Sequence, residues 1–172
     1  MEISGRDVGR QGDRCWRSSG NGHFRVVGSG NRAAKGSGLS PRYLLDTHVV
    51  VRWLVTPEKL SKEQTRVLRE AVRRHEPVAV SAITLLEIAV LFGQGSTRSD
   101  IAVEELLGEL DSNPAFQILP LTMDVAAEVA ALGSLLRDPA DRAIVATARV
   151  RRLGLITSDQ RIIESRLVAT VI

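Results

Sequence analysis

The sequence predicts an α/β fold: three layers, with a central, mostly parallel sheet of about five short strands and helices on both faces. Two observations predict it. Short apolar runs such as Tyr43-Leu44-Leu45 and Leu155-Ile156-Thr157 alternate with longer stretches of helical periodicity, the pattern that parallel strands and their crossovers require. The boundaries between them carry Ser, Thr or Asp at helix starts and Pro or Gly at helix ends. With 172 residues and 44% hydrophobic content, the chain is long enough to bury a sizeable core.

The elements follow in order from Arg42. Tyr43 to Asp46 reads as a strand that runs directly into a helix over Thr47 to Val55, which Pro57 stops. Ser61 and Gln64 have the form of a capping box and open a helix to about His75, with Val67, Leu68, Ala71 and Val72 on one face. Pro77 closes it. Val78 to Val80 is a short buried strand, and Ser81 is a candidate cap for a helix that carries Glu87 and ends at Gly93 and Gly95. A helix from about Asp100 to Leu110 places Val103, Leu106, Leu107 and Leu110 at amphipathic spacing, and Phe116 to Leu119 is the next strand. Thr122 caps a helix that buries Val125, Val129, Leu132 and Leu136. Asp138 then caps another helix, with Pro139 in its first position, Asp141 in its third and its end near Arg152. Leu155 to Thr157 is a strand, Asp159 to Ser165 a helical turn, and Val168 to Ile172 the last strand.

Charge divides the chain at Ser40. Residues 1–40 hold seven Lys/Arg against three Asp/Glu and nine of the fourteen glycines; residues 41–172 hold sixteen against seventeen. The excess of +3 therefore belongs to a Gly/Arg/Ser-rich N-terminal extension without apolar periodicity, which is expected to be disordered. That extension reads either as a basic arm that touches RNA or as a non-functional extension from an upstream start. Residues 41–172 form the expected globular domain. The single cysteine, Cys15, excludes an intrachain disulfide and suits a reducing, cytoplasmic setting. The longest apolar stretch, Val78 to Phe92, is interrupted by Ser81, Thr84 and Glu87, and no signal-peptide core is visible, so a membrane role is not expected.

Four acids stand out against this frame. Asp46 and Asp159 end apolar strands, Asp141 opens a helix, and Glu87 lies inside Leu85-Leu86-Glu87-Ile88-Ala89, where an unpartnered carboxylate would cost several kcal/mol and calls for a cationic partner. Each has a bland explanation. Asp46, Asp138 and Asp159 suit helix caps, and Asp141 suits the positive end of a helix dipole. In a parallel sheet, however, Asp46, Asp159 and the start of the Asp141 helix emerge at one edge, where ligands bind. Converging carboxylates repel unless protonated or bound to a cation, and an all-oxygen donor set selects Mg²⁺ or Mn²⁺.

Leu44-Leu45-Asp46-Thr47-His48, the Glu of Ser81-Ala82-Ile83-Thr84-Leu85-Leu86-Glu87, Asp138-Pro139-Ala140-Asp141-Arg142 and Leu155-Ile156-Thr157-Ser158-Asp159 resemble the four acidic motifs of PIN-domain ribonucleases, in the order and spacing of VapC-type toxins. The resemblance covers about residues 42–172. It implies a PIN-like fold, catalytic and metal-binding roles for Asp46, Glu87, Asp141 and Asp159, and an orienting hydroxyl at Thr157, with Thr47 a weaker candidate. It also implies Mg²⁺ or Mn²⁺ as cofactor, single-stranded or structured RNA as substrate, a 5′-phosphate product, and a homodimer held by a cognate antitoxin.

Arg142 is a candidate phosphate ligand or a brace paired with an acid. Arg149, Arg151 and Arg152 read equally as a phosphate-binding rim or as cations placed at a helix C-terminus. His48 and His75 are not spaced as ligands and read as surface or packing residues, and Trp53 as core or interface. Two alternatives remain. A haloacid-dehalogenase-like phosphatase shares the strand ending in Asp-Thr, but His48 stands where that family has a second Asp, and Lys59 and Lys62 are the only lysines after residue 40. The other is a non-catalytic module that keeps the fold for RNA or protein binding.

Overall fold

In the computed structural model, residues 39–93 and 101–172 are described, together with the backbone of two short antiparallel strands at Arg17–Ser18 and Phe24–Arg25. The expectations for the rest of the extension, and for Gly95 and Asp100 as helix boundaries, lie outside the described residues.

The five expected strands are β1 (Tyr43–Leu45), β2 (Val78–Ser81), β3 (Phe116–Leu119), β4 (Gly154–Ile156) and β5 (Thr170–Val171). They form one parallel sheet in the order β3-β2-β1-β4-β5. Helices α1 (Thr47–Val55), α2 (Lys62–Arg73), α3 (Ala82–Gly93), α4 (Val103–Ser112), α5 (Met123–Leu132), α6 (Pro139–Arg151) and α7 (Gln160–Ser165) make the connections. A single 3₁₀ turn at Pro57–Lys59 follows α1. Among the described residues no helix is long and apolar enough to cross a membrane.

Strand alternation splits the core in two, because successive side chains point to opposite faces. Leu45, Val78, Val80, Phe116 and Ile156 pack with Val49 and Trp53 of α1, Leu68 of α2, Ile88 of α3 and Leu110 of α4. Trp53 meets Phe116 edge to face with ring centroids 5.1 Å apart, which settles its role as core. Leu44, Ala79, Leu119 and Leu155 pack on the other face with Val125 and Leu132 of α5, Ile144 and Val145 of α6 and Ile162 of α7.

Local chemistry explains the helix starts. Ser61 and Gln64 form a complete capping box at α2, Thr122 caps α5 through the Val125 amide, and Asp138 caps α6 with Pro139 next in line. Ser81 is instead the last residue of β2, its hydroxyl accepting from the Ile83 amide at 3.3 Å. Register positions the functional edge: Leu45 pairs with Ile156, and the Asp46 amide donates to the Ile156 carbonyl at 3.0 Å. Asp46 and Thr157 are therefore the next residues out on adjacent central strands.

Candidate active site

Asp46 is buried at 3% exposure, one residue beyond β1. It occupies the N-cap position of α1 in an extended conformation, yet its side chain makes no capping hydrogen bond. Its Oδ2 accepts from Thr157 Oγ1 at 2.6 Å, and the same Thr157 oxygen accepts from the Asp159 amide at 3.0 Å. One fully buried hydroxyl thus fixes Asp46 and the backbone of Asp159 together. Burial raises the Asp46 carboxyl above its usual range; the Thr157 bond, the nearby His48 and the Thr47 amide oppose this, and the Asp159 charge adds to it.

Glu87 is half-buried on α3, and its partner is a hydroxyl where the sequence called for a cation. Thr47 Oγ1 donates to Glu87 Oε2 at 2.5 Å, with the buried Thr84 hydroxyl 3.2 Å from Thr47 Oγ1. A neutral donor does not offset the loss of solvent. Burial raises the Glu87 carboxyl, the Thr47 bond lowers it, Asp46 and Asp138 raise it further, and His48 lowers it.

Asp141 is the third helical residue of α6, half-buried, and pushed up to about 6. Burial is the main cause, followed by the charges of Asp138, Asp159, Asp46 and Glu87. Every other acid of the group therefore acts on this one carboxyl. Asp138 and Asp159 retain the capping roles expected of them: Asp138 Oδ1 accepts from the Ala140 amide at 2.8 Å and Asp159 Oδ1 from the Arg161 amide at 2.7 Å. Each cap uses one oxygen, which leaves the other for further contacts.

The acids share an electrostatic field, but among the described residues no three Asp, Glu, His or Cys side chains already close on one metal-sized point. The donor chemistry still fits a hard divalent cation. It consists of carboxylate oxygens, with the Asp141 carboxyl held near 6 by burial first and then by the charges of the other acids, and bound positive charge would offset both.

Several supporting residues had no functional signal in the sequence. Gln64 is fully buried; beyond its capping bond it donates through Nε2 to the Thr157 carbonyl at 3.2 Å and to Ser158 Oγ at 3.0 Å. Arg52 Nη1 donates to the same Ser158 oxygen at 3.0 Å. Both brace the end of β4 across 93 to 106 residues of sequence. The capping box marked Gln64 for α2, but nothing local marked its second task.

The basic candidates are redistributed. Arg142 Nη1 donates to the Gly133 carbonyl at 3.1 Å, tying α6 to the loop that leaves α5, and it pairs with no acid among the described residues. Arg149 forms an ion pair with Glu128 at 2.6 Å and donates to the Leu167 carbonyl at 3.1 Å. The thirteen residues of α6 carry Arg149, Arg151 and Arg152 to the amino edge of the sheet, roughly 20 Å from the helix start at 1.5 Å per residue. The cluster is therefore not a rim of the acidic site. His48 is exposed on α1, and His75 is exposed with a φ of 56° just beyond α2.

Two cavities bear on function. One of about 460 Å³ adjoins the acids and is lined by Leu135, Leu136, Arg137, Asp138, Asp141 and Arg161. A larger groove of about 720 Å³ lies between the end of α1 and α2, with Trp53, Leu60 and Leu68 in its wall, and includes none of the four acids.

A PIN domain family model matches residues 43–166, which include all four acids. Ribonuclease VapC22 of Mycobacterium tuberculosis is 35% identical over 120 residues, covering 69% of this chain and 88% of that protein. FitAcB from Neisseria gonorrhoeae has a similar structure, with a TM-score of 0.57 at 27% identity over 76% of this chain and 96% of that one. VapBC2 from Rickettsia felis, bound to a DNA fragment from their promoter, shares the fold with a TM-score of 0.57 at 16% identity, covering 74% and 96% of the two chains. These matches remove the phosphatase alternative. The chain belongs to the PIN-domain family, as a VapC-type member.

Proposed function

We propose that this protein is the toxin of a type II toxin–antitoxin pair and a Mg²⁺- or Mn²⁺-dependent ribonuclease that uses Asp46, Glu87, Asp141 and Asp159. The observation that carries the reading is the Asp141 carboxyl, held near 6 by burial and by the charges of the other acids. A group so perturbed beside a cavity is a functional candidate on physical grounds. Similarity to ribonuclease VapC22 supports RNA as the substrate.

Each residue has a task. A divalent cation, when bound, would supply positive charge against the phosphate and ease deprotonation of the water that attacks phosphorus. Asp46, Glu87, Asp141 and Asp159 are the carboxylates that would hold it. Thr157 orients Asp46 through its Oγ1 proton, and Thr47 does the same for Glu87. Arg142, a candidate phosphate ligand by sequence, is better supported as a brace of the Gly133 loop. A homodimer and an antitoxin partner complete the reading; Leu86 and Val90, four residues apart on α3 and 61% and 49% exposed, offer apolar surface for one of them.

The test is cleavage of RNA by the purified protein. Asp46→Asn should abolish cleavage, and any host growth arrest with it, while the fold persists; excess chelator should stop the wild type. Undiminished cleavage by Asp46→Asn refutes the site, and activity that survives chelation refutes the metal.

A further inference from the structure

We infer that Arg137 and Arg161 form a phosphate clamp that seats the RNA backbone next to the scissile bond, in the cavity beside Asp138 and Asp141. The inference rests on the ribonuclease reading and names the residues that make an acidic site accessible to a polyanion.

RNA that approaches Asp46, Glu87, Asp138, Asp141 and Asp159 meets concentrated negative charge. A cation held at the carboxylates would offset this at one phosphate only. Neighbouring phosphates need fixed cationic partners, and such contacts dominate nucleic-acid affinity. Most arginines near the fold are already engaged or remote. Arg52 is held by Ser158, Arg66 by Glu63, Arg73 and Arg74 by Glu70, Arg142 by Gly133 and Arg149 by Glu128. Arg151 and Arg152 lie at the opposite edge of the sheet.

Arg137 and Arg161 differ in both respects. Each lines the cavity of about 460 Å³ that it shares with Asp138 and Asp141. Each has an exposed side chain with no hydrogen bond or ion pair among the described residues, although two carboxylates share the cavity wall. They reach it from different elements: Arg137 from the loop that Arg142 braces, Arg161 from the first turn of α7, two residues after Asp159. Two separately anchored guanidinium forks suit successive phosphates, since each can bind phosphate oxygens bidentately. Leu135 and Leu136 give the cavity an apolar side.

The test uses a labelled single-stranded RNA of mixed sequence. Binding is followed by fluorescence anisotropy across a salt series in the Asp46→Asn background, and cleavage is followed separately with Asp46 intact. Arg137→Ala and Arg161→Ala should each lower the slope of log K against log salt by about 0.7, the value for one lost contact on a single strand. Together they should raise KM at least tenfold while kcat changes less than threefold, and Arg→Lys at both positions should recover most of the slope. Melting temperatures should not move, because both side chains are exposed and neither makes a hydrogen bond or ion pair among the described residues. An unchanged slope, an RNA that does not bind, or an effect confined to capture of a partner protein overturns the clamp. Binding without cleavage by the protein with Asp46 intact instead overturns the nuclease reading, and the clamp is then judged on the slope alone.

Discussion

Replacing Asp141 with Asn should stabilise the metal-free protein at neutral pH, although it removes a proposed metal ligand. The Asp141 carboxyl moves from 3.8 to about 6 on folding. That difference of about two pH units corresponds to roughly 3 kcal/mol at 1.36 kcal/mol per unit. Because the side chain is only half-buried, solvent screening reduces this to about 1.5 kcal/mol. Against it stands the favourable placement of a carboxylate in the first turn of α6, worth roughly 0.3–1 kcal/mol and lost in the Asn variant. Repulsion and desolvation win, by about 1 kcal/mol, or a rise of roughly 2–6 °C in Tm. The sign follows from linkage. Between 3.8 and about 6 the folded state keeps a proton that the unfolded chain has lost. The stability associated with it is complete below that window and is lost as pH rises through it. The assay is thermal unfolding from pH 4 to 8 in chelator. Wild type should lose stability with rising pH more steeply than Asp141→Asn; Asp46 and Glu87, also raised, leave a smaller slope in both. Added Mg²⁺ should then raise the wild-type Tm more than the variant's. If Asp141→Asn melts below wild type at pH 8 in chelator, or if the two pH slopes coincide, the repulsion argument is wrong.

Two further predictions concern the hydroxyls. Thr157→Val leaves the buried Asp46 oxygen and the Asp159 amide without their partner, so it should cost about 1–3 kcal/mol in unfolding and weaken cleavage, while Thr157→Ser restores both; equal stability of the Val and Ser variants would contradict the role given to the hydroxyl. Thr47→Val removes the bond that lowers Glu87, so the acidic limb of kcat/KM against pH should move to higher pH, and an unmoved limb would separate Glu87 ionisation from catalysis.

How much of this was legible in the sequence depended on how local the cause was. α1 follows its predicted span because a strand, an extended Asp and a Pro stop all lie within fifteen residues. Capping bonds at Ser61, Thr122 and Asp138 span two or three residues and were equally readable. Distant register was not. The sequence ranked Thr157 above Thr47, whereas each hydroxyl serves one acid, and the bond from Thr47 to the half-buried Glu87 depends on how α1 and α3 pack across 40 residues. The arginine cluster at the end of α6 reads equally from sequence as a phosphate-binding rim or as cations at a helix C-terminus, for a related reason. Its charge is visible in the sequence, but the edge on which it lies follows from the direction of α6 relative to the sheet. The second task of Gln64, on Thr157 and Ser158, was hidden because its first task already explained the residue.

The acids at helix starts show where a structural explanation stops being sufficient. Asp138 and Asp159 each spend one oxygen on a cap, and a cap is worth about 0.5–2 kcal/mol, so stability alone accounts for their presence. Asp46 holds the same position before α1 without making that bond. It is buried, it is raised by desolvation, and its oxygen is held by a threonine 111 residues away. A Ser or Asn that capped α1 would avoid the desolvation and gain the cap, so stability does not explain an Asp here. The helix tolerates the loss because Val49, Val50, Trp53 and Leu54 are buried, each worth about 1.5–3 kcal/mol as an upper estimate. Core packing on one side of α1 thus leaves the carboxylate at its N-cap position free for another purpose. The same division holds at Asp141, where the buried run Ala143 to Ala148 secures α6 and the carboxyl remains in a field of like charge. A carboxylate that costs stability and is held in place by a dedicated hydroxyl is better explained by what it binds than by the fold it opposes.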